Sequence, residues 1–362
     1  MGQDKAASKE APSGSRCSTL WFAIMVGLLG WLPVSVLAID TIAFGSCARQ
    51  QMPQPIWAGI MARSPDLFIF MGDNVYADTQ DMTEMRAAYA ELAAKPGFAA
   101  LRAEVPMVAT WDDHDYGAND AGAEFPAKAE SQQVFLDFFA VPDDDPRRQR
   151  PGVYSSRIFG ETGQRVQVIL LDTRYFRSAP KMRPAWQRPT QGRYAPNTEP
   201  QATMLGEAQW QWLEKRLRRP AELRLIVSSI QVLPTEHRFE KWANFPLERR
   251  RLLRLIAETE ANGVLLLSGD RHLGEISRLP VEASLSPGYP LYEVTASGMN
   301  SAGAGAGEQN RLRVLADNVR RDHFGLLHID WQAGELTLSL ADVEGDPLAQ
   351  HRIGLDALRR EE

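Results

Sequence analysis

Six short apolar runs constrain this chain more than any other feature: TIAFGSC at 41–47, DLFIFMGDN at 66–74, PMVATWDDHDYG at 106–117, RVQVILLDTR at 165–174, LRLIVSSIQ at 223–231 and GVLLLSGDRH at 263–272. Each is rich in β-branched or aromatic residues and closes on Gly, Asp or Ser, which reads as a buried strand. Between them lie stretches of helical period at residues 81–95, 127–140, 205–219 and 247–262, the first opened by Asp81 and Glu84 in capping-box spacing. Alternating strand and helix predicts an α/β fold. Two hairpins, 153–172 turning near 161–164 and 324–341 turning at 332–334, make the sheets mixed rather than all parallel. Residues 178–200, rich in Pro, Arg and Gln, and the small-residue stretch 301–307 read as surface loops. No repeat or long linker divides the body, so residues 39–362 are expected to form one catalytic domain.

With 44% hydrophobic and 24% charged positions in 362 residues, the chain can bury a large core, which excludes a disordered or coiled-coil protein. Its formal charge of -6 provides no broad cationic surface for a nucleic-acid backbone, and no nucleic-acid partner is expected. At the N-terminus Lys5, Lys9 and Arg16 precede an apolar run at 20–39 containing Val36-Leu37-Ala38, the layout of a secretory signal peptide over residues 1–38. The alternative is an uncleaved anchor, since the run is long enough to span a bilayer. Either way the body is expected outside the cytoplasm, touching a membrane only through that segment. Of the two cysteines, Cys17 and Cys47, only Cys47 belongs to the body, where burial or metal ligation would occupy its thiol.

The chemistry-bearing residues follow directly on the apolar runs: Cys47; Asp73, Asn74 and Tyr76; Asp112, Asp113 and His114; Asp172 and Arg174; Gln231; Asp270 and His272. In open α/β sheets ligands bind beyond the carboxyl ends of the strands, so these groups are expected at one rim. Asp270 and His272, two apart, point to the same side if the chain stays extended there. The three carboxylates of WDDHDYG repel one another unless His114 or a cation offsets them. By donor type, Cys47, Tyr76 and His272 suit a transition metal, the phenolate favouring trivalent iron. Asp113, Gln231 and Asp270 offer oxygen, which suits Ca²⁺, Mg²⁺ or Mn²⁺. Asp73 can bridge the two, and such a pair serves in-line displacement at phosphorus.

Taken in order, FGSC, GDNVYAD, WDDHDYG, LLDTR, SSIQVLP, SGDRH and ASGMN resemble the PhoD-like alkaline phosphatases of the calcineurin-like metallophosphoesterase superfamily, over residues 41–342. The resemblance implies two packed mixed β-sheets flanked by helices, a four-layer αββα sandwich. It also implies a site with Fe³⁺ and Ca²⁺ and hydrolysis of phosphomonoesters and some phosphodiesters by a metal-held hydroxide. By resemblance Cys47, Asp73, Tyr76 and His272 are iron ligands, Asp73, Asp113 and Asp270 bind the second ion, and His114 is the catalytic histidine. The sequence departs from the superfamily at Ser46-Cys47, which replaces an Asp-x-His, and at Asp113-His114, which replaces an Asn-His. It departs again at Asp270-Arg271-His272, where the superfamily has His-x-His. Within the PhoD branch, Asn74 stands where a tyrosine is common, and Gln231 where many superfamily members carry a histidine.

From these residues His114 is expected to donate a proton to the leaving oxygen, steadied by Asp115 or Asp112. Arg174 is expected to clamp the phosphate or bridge to a carboxylate. Asn119 and Asn300 are expected to line the pocket, Arg238 and Trp242 either to bound it or to pack their loop, and the 178–200 loop to hold specificity. Three other readings stay open: a phospholipase D-like phosphodiesterase, a thiol hydrolase with Cys47 as nucleophile, and a non-catalytic metal or phosphate binder at the surface.

Overall fold

In the computed structural model, which describes residues 38–360, every apolar run becomes a strand. The signal or anchor segment expected at the N-terminus lies outside the described residues. Strands β1 (Thr41–Gly45), β2 (Leu67–Met71) and β3 (Met107–Thr110) pair in parallel. The antiparallel strands β10 (Phe324–Asp330), β11 (Glu335–Ala341) and β12 (Pro347–Gly354) extend them into a six-stranded sheet of order β12-β11-β10-β1-β2-β3. The second sheet is built from β4 (Ser155–Phe159), β5 (Val166–Leu170), β6 (Leu223–Ser228), β7 (Val264–Ser268), β8 (Gly274–Leu279) and β9 (Leu291–Ala296). Its order is β4-β5-β6-β7-β9-β8, with β5, β6, β7 and β9 parallel. Both hairpins form, as β4–β5 and β10–β11.

Side-chain alternation shows how the layers stack. On β2, Leu67, Ile69 and Met71 join the core shared with the second sheet, while Phe68 and Phe70 face an outer core with Trp57, Phe98 and Leu101. Helices α1 (Ile56–Ala62), α2 (Met82–Ala93) and α3 (Pro96–Glu104), with α5 (Lys128–Phe138), supply that outer layer. The short helix α4 (Asp113–Tyr116) lies between α3 and α5 in sequence. A further short helix, α6 (Arg188–Gln191), lies in the long loop. Helices α7 (Gly206–Leu217) and α8 (Pro246–Glu258) contribute Trp210, Leu213, Leu252, Leu253 and Ile256 to the core of the second sheet. The result is an α/β sandwich of two mixed sheets between helical layers.

Strands β8, β9 and β12 lie outside the runs and hairpins expected above. On β12 the buried position is Ile353 alone, so no apolar period betrays it. At α2, Asp81 accepts from Thr83 N at 2.7 Å, as an N-cap should, but Glu84 takes the Thr79 hydroxyl at 2.6 Å instead of closing the capping box. The two sheets meet at their carboxyl ends, where Ser46 after β1 forms a parallel bridge to Ser297 after β9. That seam is where the chemistry gathers.

Candidate metal centre and active site

Parallel strands with aligned carboxyl ends carry their following loops to one rim, and the loops here bend sharply. Cys47, Asp73, Asp270 and His272 have φ of 63°, 49°, 68° and 54°, a left-handed backbone that side-chain-bearing residues rarely adopt and that clusters at functional sites. Asp270 and His272 therefore approach by a turn and not along an extended strand, which corrects the reason for expecting them together. Gly72 has φ 103°, and a Cβ there would lie 2.6 Å from the Asp112 Cβ, so only glycine lets the ends of β2 and β3 close on one another.

Ligand atoms of Cys47, Asp73 and His272 lie within 4.8 Å of one another. Tyr76 completes the set: its hydroxyl is 3.2 Å from Asp73 Oδ2 and 2.9 Å from His272 Nε2, and Cys47 Sγ is 3.4 Å from the same Asp73 oxygen. A second cluster joins Asp112, Asp113 and Asp270, and a third links Asp73 to Asp113 and His114. Asp73 and Asp113 thus connect two neighbouring donor sets.

Without a cation these groups sit uncomfortably. Burial pushes the Asp73 carboxyl well above its usual range, and Cys47 and Asp113 push it further. Burial, with Asp112 and Asp113, brings Asp270 up to about 7, and Tyr76 is raised by burial, Asp73 and Cys47. Asp112 Oδ2 is buried with no hydrogen-bond partner. A soft and phenolic donor set beside a set of carboxylates, one of which, Asp112, keeps an orphaned oxygen, fits a pair of cations.

Other side chains hold this arrangement. Ser297 Oγ lies 3.1 Å from Cys47 Sγ and accepts from His272 N at 2.8 Å, tying together the two ends of the first donor set. The Arg49 guanidinium lies 4.2 Å over the Tyr76 ring, whose other neighbour is the His114 ring, stacked at 4.2 Å. His114 Nδ1 meets Asp78 Oδ2 at 2.7 Å. Burial works against its charge, but Asp78, Asp73 and Asp113 raise its pKa to about 10.

Several expected roles change. Asp115 does not reach His114: it accepts from the backbone of Asp73 and Asp112, from Asn74 Nδ2 at 2.6 Å and from the Tyr89 hydroxyl, so it fixes the backbone of the ligand loops. Asp112 is also not the partner of His114, because its Oδ1 is taken by Arg174 and by Ser229 at 2.6 Å. Arg174 is fully buried between Asp112, 2.5 Å away, and Glu240 at 2.8 Å, and serves as a structural bridge and not as a phosphate clamp. Gln231 turns its amide nitrogen to Glu275 and Thr295, both at 2.8 Å, and does not line the cavity. Asn300 grips the backbone of Arg49 and Pro53, steadying the loop after Cys47, and is likewise absent from the cavity wall. Trp242 is buried and donates to Ser228, so it packs its loop.

A cavity of about 430 Å³ opens over the donor sets, walled by Asp113, His114, Asn119, Asp270 and His272 with Arg238 and Phe239. Arg271 is the buried guanidinium in that wall, stacked 4.1 Å from the Phe239 ring centre and bonded to Glu308. It lies between two predicted ligands in sequence, which is the signal that could have singled it out. Cys47 is fully buried and absent from the cavity wall, and burial raises its thiol pKa, a poor setting for a nucleophile.

The sequence pattern of the PhoD-like phosphatases matches residues 42–340. Alkaline phosphatase D of Bacillus subtilis (strain 168) is 24% identical over 329 residues, covering 78% of this chain and 55% of that protein. The chain therefore spans about half the length of that curated relative. Among solved structures, that of PhoD superposes with a TM-score of 0.68 at 17% identity, covering 88% of this chain and 69% of the other. GAP50, the anchor in the inner membrane complex of Plasmodium, gives 0.55 at 10% identity over 90% of each chain. These two likenesses concern the fold. The matched pattern runs from β1 to β11 and takes in every loop of the rim, and the chain belongs to the PhoD-like phosphatase family.

Proposed function

We propose that this chain is an exported two-metal phosphoric ester hydrolase acting on phosphomonoesters, phosphodiesters or both. The observation that carries the reading is the pair of donor sets linked by Asp73 and Asp113, of which Asp113, Asp270 and His272 reach the wall of a cavity that His114 also lines. Cys47, Asp73, Tyr76 and His272 would hold Fe³⁺, and Asp73, Asp113 and Asp270 a divalent ion, Ca²⁺ before Mg²⁺ or Mn²⁺. When bound, the cations supply Lewis acidity and positive charge for the phosphoryl oxygens. A donor set alone would also suit a mere metal binder. A histidine fixed by Asp78 beside the cavity favours catalysis.

With Nδ1 engaged by Asp78, His114 keeps Nε2 for a ligand in the cavity it lines, where the protonated ring would donate to the leaving oxygen. Arg271 is placed to meet a phosphoryl oxygen from the wall, with Glu308 and Phe239 fixing its plane. Asn119 offers an amide on the same wall. Export rests on the basic flank and apolar run at residues 1–38. Among the described residues no helix is long and apolar enough to cross a membrane.

The test is turnover of p-nitrophenyl phosphate and bis-p-nitrophenyl phosphate with metal analysis on the same sample. Hydrolysis of either by protein carrying iron, with a visible tyrosinate-to-iron absorption, supports the reading. Metal-loaded protein that turns over neither overturns it.

A further inference from the structure

The cavity's charges are segregated by depth. Its floor is carboxylate, while its rim carries three exposed arginines: Arg188 and Arg193 from the 178–200 loop, and Arg238 from the loop after β6. Besides Asp113 and Asp270, the carboxylates that line the cavity are Asp120 and Glu240. Glu240 is buried and neutralised by Arg174 and Arg177, and Asp120 serves the Tyr194 hydroxyl and Arg193, whose Nη1 is 3.4 Å away.

Two of the three rim arginines, Arg188 and Arg238, are anchored by backbone carbonyls. Arg188 Nε donates to Arg183 O at 2.9 Å, and Arg238 Nη1 to Pro189 O at 2.7 Å. Among the described residues neither has a carboxylate within ion-pair distance, whereas arginines such as Arg165, Arg174 and Arg313 each pair with one or more. Their charge is uncompensated and their remaining N–H groups are free to meet a ligand.

The loop that carries them is built. Met182 and Tyr194 form a bridge, Arg183 N bonds Arg193 O at 2.9 Å, and Arg183 Nε bonds Tyr194 O at 2.8 Å. At Gly192, with φ of 84°, a Cβ would lie 2.2 Å from Arg238 O, so the two arginine-bearing loops touch where a side chain cannot fit. Once cations neutralise the floor, the rim is a fixed positive arc facing whatever projects from the scissile phosphoryl group.

We propose that this arc selects esters whose organic arm bears a second anionic group, a carboxylate or a further phosphate, which Arg188, Arg193 and Arg238 bind while Arg271 faces the scissile phosphoryl. The proposal rests on the hydrolase reading above and names the substrate class of that site.

Phosphate release from 3-phosphoglycerate and from glycerol 3-phosphate provides the test, because both are esters of a primary alcohol and differ by one carboxylate. The metal-loaded full chain should favour 3-phosphoglycerate in kcat/KM by about tenfold, the order of a hydrogen bond to a charged group. Arg188→Gln, Arg193→Gln and Arg238→Gln combined should bring the ratio to about one, and added salt should lower it in the unsubstituted protein. A ratio near one in the unsubstituted protein, or one that the combined substitution leaves unmoved, overturns the proposal while the hydrolase reading stands. Failure to release phosphate from these two esters while p-nitrophenyl phosphate or bis-p-nitrophenyl phosphate is hydrolysed overturns the proposal alone, and failure with all four substrates overturns both.

Discussion

His114 Nδ1 lies 2.7 Å from Asp78 Oδ2, and Asp78 holds its own backbone at φ 47° while its N–H bonds His114 O at 3.2 Å. The carboxylate and the histidine backbone therefore brace one another, and Asp78 fixes which ring nitrogen faces the cavity. Asp78→Asn should leave metal content unchanged and slow kcat by about tenfold, at the low end of what a positioned general acid contributes. The Asp78 contact raises the His114 pKa, so losing this partner lowers it. Since the protonated form is the one that donates, the alkaline limb of the kcat profile should move to lower pH. A variant with an unmoved limb would show that Asp78 does not tune His114.

Asp73 and His114 should fail in different ways. Asp73 contributes a carboxylate to the set with Cys47 and His272, so Asp73→Asn should lose bound metal along with turnover. His114→Ala should keep its metal and slow the chemical step by roughly 10²- to 10⁴-fold. Metal analysis beside kcat separates the two, and equal metal loss in both would remove the division of roles.

Arg174 sits fully buried between two carboxylates, where removing one partner leaves uncompensated charge. Arg174→Met should cost about 3 to 5 kcal/mol in urea unfolding. Arg271→Met, on the cavity wall, should instead raise KM and weaken competitive inhibition by inorganic phosphate with a smaller loss of stability. Reversal of that pattern would restore Arg174 as the phosphate contact.

The rim was legible because two local signals coincide there: an apolar run that can only be a strand, and polar residues immediately after it. Cys47, Asp73, Asp113, Asp270 and His272 all carry both signals. Asp78 stands seven residues beyond its strand and Ser297 follows a run not read as a strand, and their partners lie 36 and 250 residues away, so only the tertiary path of the loops brings them together. Arg174 misled because a strand-end arginine looks the same whether it faces a ligand or a buried acid. What decides is Asp112, whose backbone Asp115 holds so that its side chain turns under Arg174.

Stability in acid should report one contact far from the site. Glu222 accepts from Arg165 N at 2.7 Å, Nη2 at 2.7 Å and Nε at 3.1 Å, closing the start of β5 against the start of β6. Burial opposes the Glu222 charge, but Arg165 and the Gly163 backbone outweigh it and lower the pKa from 4.5 to about 2. A depressed folded-state pKa stabilises the protein above the unfolded value and stops doing so as pH falls through the folded one. The gap in unfolding free energy between the unsubstituted chain and Glu222→Gln should therefore be constant from pH 8 to about 5.5 and narrow from pH 4.5 downward. Because the pair is partly exposed, the plateau should be about 1 kcal/mol. A gap that widens on acidification, or that persists unchanged at pH 3, would mean that packing and not charge joins the two strands there.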